Sequence, residues 1–427
     1  MGWNILYAQP MLTLAKEDPE LAGLIKDEET RLETTLNLIA AENHAPESIL
    51  EVMGSVFNTK TIEGYPGNRF HAGCINADKV ETLAIERGRS LFRAEHVNVQ
   101  PHSGTSANLA VYFSVLKTGD RILSMSLPHG GHLSHGHPAS ITSKCFDFSH
   151  YKVNPETERI DYDQVRQMAH CLKPRMIVAG ASSYPRLIDY EKISVIAKEV
   201  CAFFLSDMAH LAGLVAANLI PSPVPFSDFV TFTCYKTMMG GRGGVILCKK
   251  QFAKKIDSAV FPGCQGTSAV NLMAAKALIF RLAREDKFVR AQKNTLENAR
   301  VLARLLMEKG YHVISGGTDN HQVLMDLTDK GISGRTAESV LESIGIVLNR
   351  NVVPKDENAS GKVSGIRLGS AAVSARGMGG GQMREIVELM DMALMNLTDK
   401  AIINKAKERV LGLCREFPVN GMGSLVP

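Results

Sequence analysis

The chain has 427 residues, 45% hydrophobic and 22% charged, with a mean hydropathy of −0.03, which is ample for a packed core and, at roughly 150 residues each, two or three domains. Lys and Arg total 48 against 44 Asp and Glu, a formal charge of +4, so the balance supports neither a nucleic-acid partner nor a membrane surface. No apolar run reaches the ~18 residues of a span, the N-terminus lacks the layout of a signal peptide, and Leu6 stands where a myristoylation signal needs Ser or Thr; a cytoplasmic globular protein is expected.

Residues 11–36 carry helix-compatible patterning with alternating charges, and Pro19 suits a first turn, so 1–45 reads as an N-terminal arm or lead-in helix. From 46 to 285 short apolar runs alternate with helical patterns. Helices are predicted at 79–93, 105–117 and 188–200, and strands at 121–125, 175–180, 202–207, 229–234 and 244–248. That alternation indicates an α/β domain with a mainly parallel sheet covered on both faces. Over 286–427 a long helical stretch leads into short strands at YHVISGG, QVLMDLT and IRLGSAA and a closing helix near 383–397, a smaller C-terminal α/β domain. The eight cysteines show no C-x-x-C pair, so neither a disulfide framework nor a zinc ribbon is indicated.

Three segments carry chemistry. Lys236 follows the apolar run FVTFTC and precedes Gly240, Gly241, Gly243 and Gly244. Glycines let backbone approach a bound group closely, and lysine forms Schiff bases with carbonyls, pyridoxal phosphate (PLP) included; a lysine after a strand is also commonplace. Asp207 ends AFFLSD, where ligands of open α/β sheets bind; it suits the carboxylate that a pyridine nitrogen needs, or merely caps a helix. HSGTSAN (102–108) offers Ser103, Thr105 and backbone N–H groups at a helix start, a dianion site or simply a good cap. Together, and in this chain order, they supply the phosphate cup, pyridinium partner and lysine of one cofactor site.

LPHGGHLSHGH places His129, His132, His135 and His137 within nine residues. Glycines and prolines make this a loop, and no carboxylate or Cys nearby completes a metal set, so no metal is expected; one histidine over a cofactor ring, with the others structural, fits better. Glu63, in a Gly/Pro-rich loop, is a candidate acid–base carboxyl. Arg367 in SGIRLGS can clamp a carboxylate with its planar fork, or form a structural salt bridge.

As a set, these residues resemble the serine hydroxymethyltransferases, also called glycine hydroxymethyltransferases. The matching stretches are NLIAAEN, EGYPGNR, VNVQPHSGTSAN, HGGHLSHG, DMAHLAGLVAA, YKTMMGGRGG, AVFPGCQG, SGGTDNH and SGIRLGS, in order over about 37–420. The resemblance implies a fold-type I PLP-dependent transferase (aspartate aminotransferase-like), a homodimer or tetramer with active sites shared between subunits. It implies that Lys236 is the Schiff-base lysine, Asp207 the pyridine-nitrogen partner, His132 the ring-stacking histidine and His210 the partner of the phenolic oxygen. Ser103, Gly104, Thr105, Ser182 and Thr233 would be further cofactor contacts, Glu63 the catalytic glutamate and Arg367 the substrate clamp. Tetrahydrofolate would lie over Leu127, Gly131 and Leu133, with Asn351 and Phe70 near.

The sequence also departs from the family. Tyr235 replaces the His before the lysine, where it would sit with the catalytic groups, and Gly241 replaces a Pro in the lysine segment. Ala41 and His71 stand where groups surround the substrate carboxylate. Thr61, Gly266 and Thr267 stand where phosphate contacts reach in from the neighbouring subunit. A lost anion-binding hydroxyl typically costs about 1 kcal/mol or more unless another donor replaces it, so this is a divergent member. The leading expectation is serine–glycine interconversion with tetrahydrofolate: retro-aldol cleavage serving one-carbon and amino-acid metabolism. The alternatives are a folate-independent aldolase or transaldolase on a β-hydroxy or α-methyl amino acid, and a non-catalytic paralogue.

Overall fold

The computed structural model describes residues 8–358 and 363–419; the reading at Leu6 and the outermost ends of the segments 1–45 and 286–427 lie outside them. The patterned N-terminal stretch forms two helices, α1 (Ala8–Glu17) and α2 (Pro19–Thr34). Between them the Asp18 carboxylate accepts from Leu21 N at 2.9 Å and Pro19 takes the first helical position, where its missing N–H costs nothing.

Seven strands build the large sheet: β1 (His96–Asn98), β2 (Arg121–Met125), β3 (Asp147–Tyr151), β4 (Met176–Gly180), β5 (Phe203–Asp207), β6 (Phe229–Thr233) and β7 (Gly244–Cys248). Their order is β1-β7-β6-β5-β4-β2-β3. The pairs from β6 through β3 are parallel, while β7 runs antiparallel to both β6 and β1. Strands β4, β6 and β7 are buried along their whole length, as continuous apolar runs covered on both faces must be. On one side lie α3 (Ile75–Phe92) and α5 (Val270–Leu282), with Phe92, Phe232 and Phe280 in mutual ring contact. The helix that matters for the site is α4 (Gly104–Val115), entered directly from β1.

A second sheet, β8 (His312–Val313), β9 (Gln322–Asp326), β10 (Asn349–Asn351) and β11 (Gly365–Gly369), is antiparallel in the order β8-β9-β11-β10. It packs with α7 (Gly380–Leu394) and α8 (Lys400–Glu416) around its own apolar cluster. The long helix α6 (Asp286–Glu308) joins the two bodies, burying Phe288 and Leu296 in the large core and Leu302 and Leu306 in the small one. The chain after α2 also enters the small core. Leu36 and Leu38 are fully buried there, and Leu36–Asn37 pairs in parallel with Ile346–Val347.

Because that pairing ties the lead-in segment to the far end of the chain, Leu36→Ala should be felt globally. We expect a loss of about 2–5 kcal/mol, seen as a lower urea midpoint; an unchanged midpoint would show that the small core does not depend on the segment.

Candidate active site

The carboxyl edge of the large sheet gathers the candidate residues. Asp207 ends β5, Thr233 ends β6 with Tyr235 and Lys236 just beyond, and Ser182 follows β4. Facing them is the start of α4, where Ser103 is the N-cap. Its Oγ accepts from Ser106 N at 3.1 Å and the Ser106 hydroxyl accepts from Ser103 N at 2.8 Å, a reciprocal cap that points the next N–H groups outward. Gly104 is required there, since an added Cβ would stand 2.8 Å from Thr233 Cγ2. A cavity of about 80 Å³ lies between these elements, lined by Ser103, Gly104, Thr105, His132, Ser182, Asp207, His210, Thr233, Tyr235 and Lys236, together with His135, Ala181 and Ala209.

Lys236 is 7% exposed. Burial brings its ammonium down to about 8, with Asp207 opposing the shift and Arg367 adding to it. Burial pushes the Asp207 carboxyl up, but a hydrogen bond from His135 at 3.1 Å, the nearby His135 and His132 rings, and Asn108 Nδ2 at 2.9 Å overcome it, so the carboxylate is held below its usual range. Its other oxygen accepts from Ala209 N at 3.0 Å, and Thr231 Oγ1 fixes Asn108 at 2.6 Å. His132 Nδ1 accepts from Ser134 N, which leaves the proton on Nε2; burial lowers this ring to about 4, so it is neutral at physiological pH. His210 is likewise pushed well down by burial, and its ring stacks on His321 at 5.5 Å, while His321 reaches the Ala40 carbonyl next to Ala41 at 3.1 Å.

Arg367, on β11, turns toward this cavity from the small domain. Nε donates to Asn349 Oδ1 at 3.1 Å and one terminal nitrogen to the Ser182 carbonyl, which leaves the other free to meet a carboxylate. Burial lowers the guanidinium to about 10 without discharging it near neutrality. Tyr235 lies under Arg242, whose guanidinium carbon is 4.5 Å from the ring centroid.

Other candidates lie outside the cavity. Thr61, Phe70, His71 and Gly266 are exposed, and Glu63 and Thr267 are half-buried beside them. Thr267 Oγ1 donates to the Ile62 carbonyl and its own carbonyl meets His102 Nε2 at 3.1 Å; Phe70 stands 5.8 Å from Phe261. Leu127 and Gly131 belong to a turn packed against residues 354–358, next to Asn351, and Leu133 is exposed.

No carboxylate lies near the four histidines in sequence, yet the fold brings Asp207 to two of them, His132 and His135. The ligand atoms of His132, His135 and Asp207 fall within 4.8 Å of one another. Sequence reading missed the roles of His135, Asn108 and Asn349 because their partners lie 72, 99 and 18 residues away, and that of Arg242 because nothing in the glycine-rich run shows it turning back onto the Tyr235 ring. Cys234 is buried with its thiol pushed up to about 12, which makes it inert, and Cys264, though exposed, is also raised by burial. A larger cavity, about 310 Å³, opens near Phe92 and Cys248, but its Asp228 and Lys249 are already paired at 2.7 Å.

The residues fit pyridoxal phosphate. A helix N-terminus with free donors suits a dianion, an ionised buried carboxylate suits a protonated ring nitrogen, and the amine beside them is partly neutral near physiological pH. Thr233 Oγ1, buried in the wall with no partner, is a polar atom awaiting one.

Comparison with known proteins agrees. The family model described as serine hydroxymethyltransferase matches residues 14–390. Two proteins named serine hydroxymethyltransferase, from Dehalococcoides mccartyi strains CBDB1 and BAV1, are each 49% identical over 413 residues, covering 96% of this chain and 100% of theirs.

The buried ammonium sets a pH signature. Below pH 8 Lys236 is protonated both folded and unfolded, and its burial weakens the fold in full. Between about 8 and its ordinary 10.5 the folded chain binds fewer protons, so stability from this group rises with pH. Cofactor-free Lys236→Met should therefore be more stable than the parent at pH 7 by about 2–3 kcal/mol, the difference closing above pH 10. Thermal melts across this range check it, and a pH-independent difference would contradict it.

Proposed function

The chain belongs to the serine hydroxymethyltransferase family, and from that premise we propose how its own residues perform the family's reaction. It is a PLP-dependent transferase that interconverts serine and glycine, with tetrahydrofolate as the one-carbon carrier. This membership does not favour the folate-independent aldolase, and a non-catalytic paralogue is set aside with it. The observation that carries the reading is the meeting of Lys236 and Asp207 in one cavity at the carboxyl edge of the large sheet, with the Arg367 guanidinium near enough to act on the Lys236 ammonium.

When bound, pyridoxal phosphate supplies an electron sink in conjugation with the substrate α-carbon. Asp207, kept ionised by His135 and Asn108, holds a proton on a facing ring nitrogen through whichever oxygen lone pair remains free. Lys236, lowered to about 8, passes between amine and ammonium near neutral pH and so can both attack and accept a proton. His132, neutral, offers a flat ring face without a competing charge, His210 a neutral polar contact, and the start of α4 with Ser103, Gly104 and Thr105 a seat for phosphate. Arg367 orients the substrate carboxylate, while Ala41 and His71 offer it fewer hydroxyls than the family pattern does. Tyr235, braced by Arg242, covers the cavity where a histidine is usual.

Glu63 has its place in the proton transfers of a neighbouring subunit's site, with Thr61, Gly266 and Thr267 at that subunit's phosphate. Their place outside this chain's cavity, with Thr61 and Gly266 exposed and Glu63 and Thr267 half-buried, supports the assignment, as do exposed Leu24 and Val56 for a homodimer. Leu127, Gly131, Leu133, Asn351 and Phe70 would receive the folate. We divide the chain into an arm (1–45), a cofactor domain (46–285) and a small domain (286–427), with Leu36 and Leu38 lending the arm to the small core. Among the described residues no helix is long and apolar enough to cross a membrane. We place the protein in the cytoplasm, where eight free thiols are at home.

The deciding measurement is the visible spectrum of the purified protein with glycine, before and after tetrahydrofolate. A strong long-wavelength band that needs both confirms a folate-organised site; a glycine response indifferent to folate overturns the folate assignment. In steady-state kinetics Arg367→Lys should raise the KM for serine by about tenfold or more with cofactor binding intact, and an unchanged KM would remove Arg367 from the substrate.

A further inference from the structure

A second buried lysine stands behind the phosphate seat. Lys276, on α5, is 2% exposed, and its Nζ donates to Val99 O at 2.6 Å, Gly244 O at 2.9 Å and Pro101 O at 3.2 Å. All three ammonium protons are thereby used. The acceptors come from the segment leading into α4 and from the first residue of β7, so one cation ties the phosphate loop to the sheet. Neighbouring glycines are shaped to this contact. Gly243 adopts φ +128°, and an added Cβ would stand 2.4 Å from Lys276 Cε and 2.7 Å from Nζ; at Gly244 it would stand 2.1 Å from Ser103 O. Gly244 N also donates to Pro101 O at 2.9 Å.

Among the described residues no carboxylate bonds this ammonium. Glu81, the carboxylate that acts on it through space, is engaged by Arg69 and Gln100. Three carbonyls can be satisfied by neutral donors, whereas an uncompensated buried charge is costly, so the charge itself calls for a function. The cavity wall supplies the reason, for among the described residues its only lysine or arginine is Lys236, whose amine the reaction uses. A dianion held by hydroxyls and a helix terminus alone lacks a counter-charge.

We propose that Lys276 is a positioning residue for the cofactor phosphate: it fixes the loop before Ser103 and supplies, from behind that loop, the positive charge that the seat lacks. The proposal rests on the PLP reading above. It predicts selectivity, because a charge behind the phosphate seat acts on pyridoxal phosphate and not on pyridoxal.

The test is equilibrium binding of pyridoxal phosphate and of unphosphorylated pyridoxal to the cofactor-free full chain and to two variants, Lys276→Met, which removes the charge and all three donors, and Lys276→Gln, which removes the charge and keeps two donors. Both variants should bind pyridoxal phosphate about tenfold or more weakly than the parent, with pyridoxal affinity held within about a factor of two. Amide exchange over 100–106 should quicken most in Lys276→Met. Undiminished pyridoxal phosphate binding overturns the proposal, and an equal loss for both ligands reduces Lys276 to a fold support. If Lys276→Met does not fold, Lys276→Gln decides. If neither folds, Gly243→Ala, which displaces the ammonium and leaves the charge in the chain, must weaken pyridoxal phosphate selectively or the proposal falls. Failure of the PLP reading looks different: the parent itself would bind both ligands alike, and Lys236→Ala would keep the visible absorbance of a lysine-linked cofactor.

Discussion

Every feature of the site follows from enclosing an ammonium and a carboxylate in one cavity with a guanidinium close by. Burial discharges Lys236 toward neutrality and would protonate Asp207 as well. The fold lets the first shift stand and reverses the second. His135 and Asn108 bond the carboxylate directly, and Thr231 holds Asn108 in place, so the acid stays ionised while the amine is brought within reach of its neutral form. Arg367 contributes in the same sense, because a nearby guanidinium disfavours a second cation at Lys236. A nucleophile partly free near neutral pH and an anion fixed beside it are the two conditions that Schiff-base chemistry needs.

The sheet makes this arrangement possible by parallel packing. Strands β4, β5 and β6 end on one edge, so residues tens of positions apart arrive side by side. Glycine at the end of β4 permits the closest approach: an added Cβ at Gly180 would meet the Asp207 carbonyl at 2.6 Å. Arg367 comes instead from the small domain, held to the large one through the Ser182 carbonyl. The place of Arg367 beside the cavity therefore depends on how the two bodies pack, with α6 as their common support.

How far the sequence discloses this depends on the range of each interaction. Long helices and the largely buried strands β2, β4, β5, β6 and β7 were legible from periodicity to within a residue or two for the strands and up to about four for helix starts. Strand β1 is three residues, and β3, DFSHY, is a half-exposed edge strand of mixed polarity, so neither gives an apolar run to recognise. In the site, Lys236, Asp207 and Ser103 announce themselves by local context, each at the junction of a strand or helix. His135 could not be read this way. Within its loop it is one of four histidines, and its partner lies 72 residues on. Lys276 is harder still, since a lysine in the apolar run VNLMAAKALIF breaks the pattern without showing that three carbonyls await it.

That break in pattern is nevertheless physical information. A charged residue on the buried face of a helix is tolerated only where something compensates its desolvation. In Lys236 the compensation is partial, and the residual cost becomes reactivity. In Lys276 it is complete in hydrogen bonds and incomplete in charge, which leaves a field behind the helix start that a dianion can use. The two lysines are lowered to similar values, about 8, by the same cause, burial. Their difference lies in proton count: Lys276 spends all three ammonium protons on carbonyls, whereas the Lys236 Nζ makes no hydrogen bond among the described residues and is free to give its proton away.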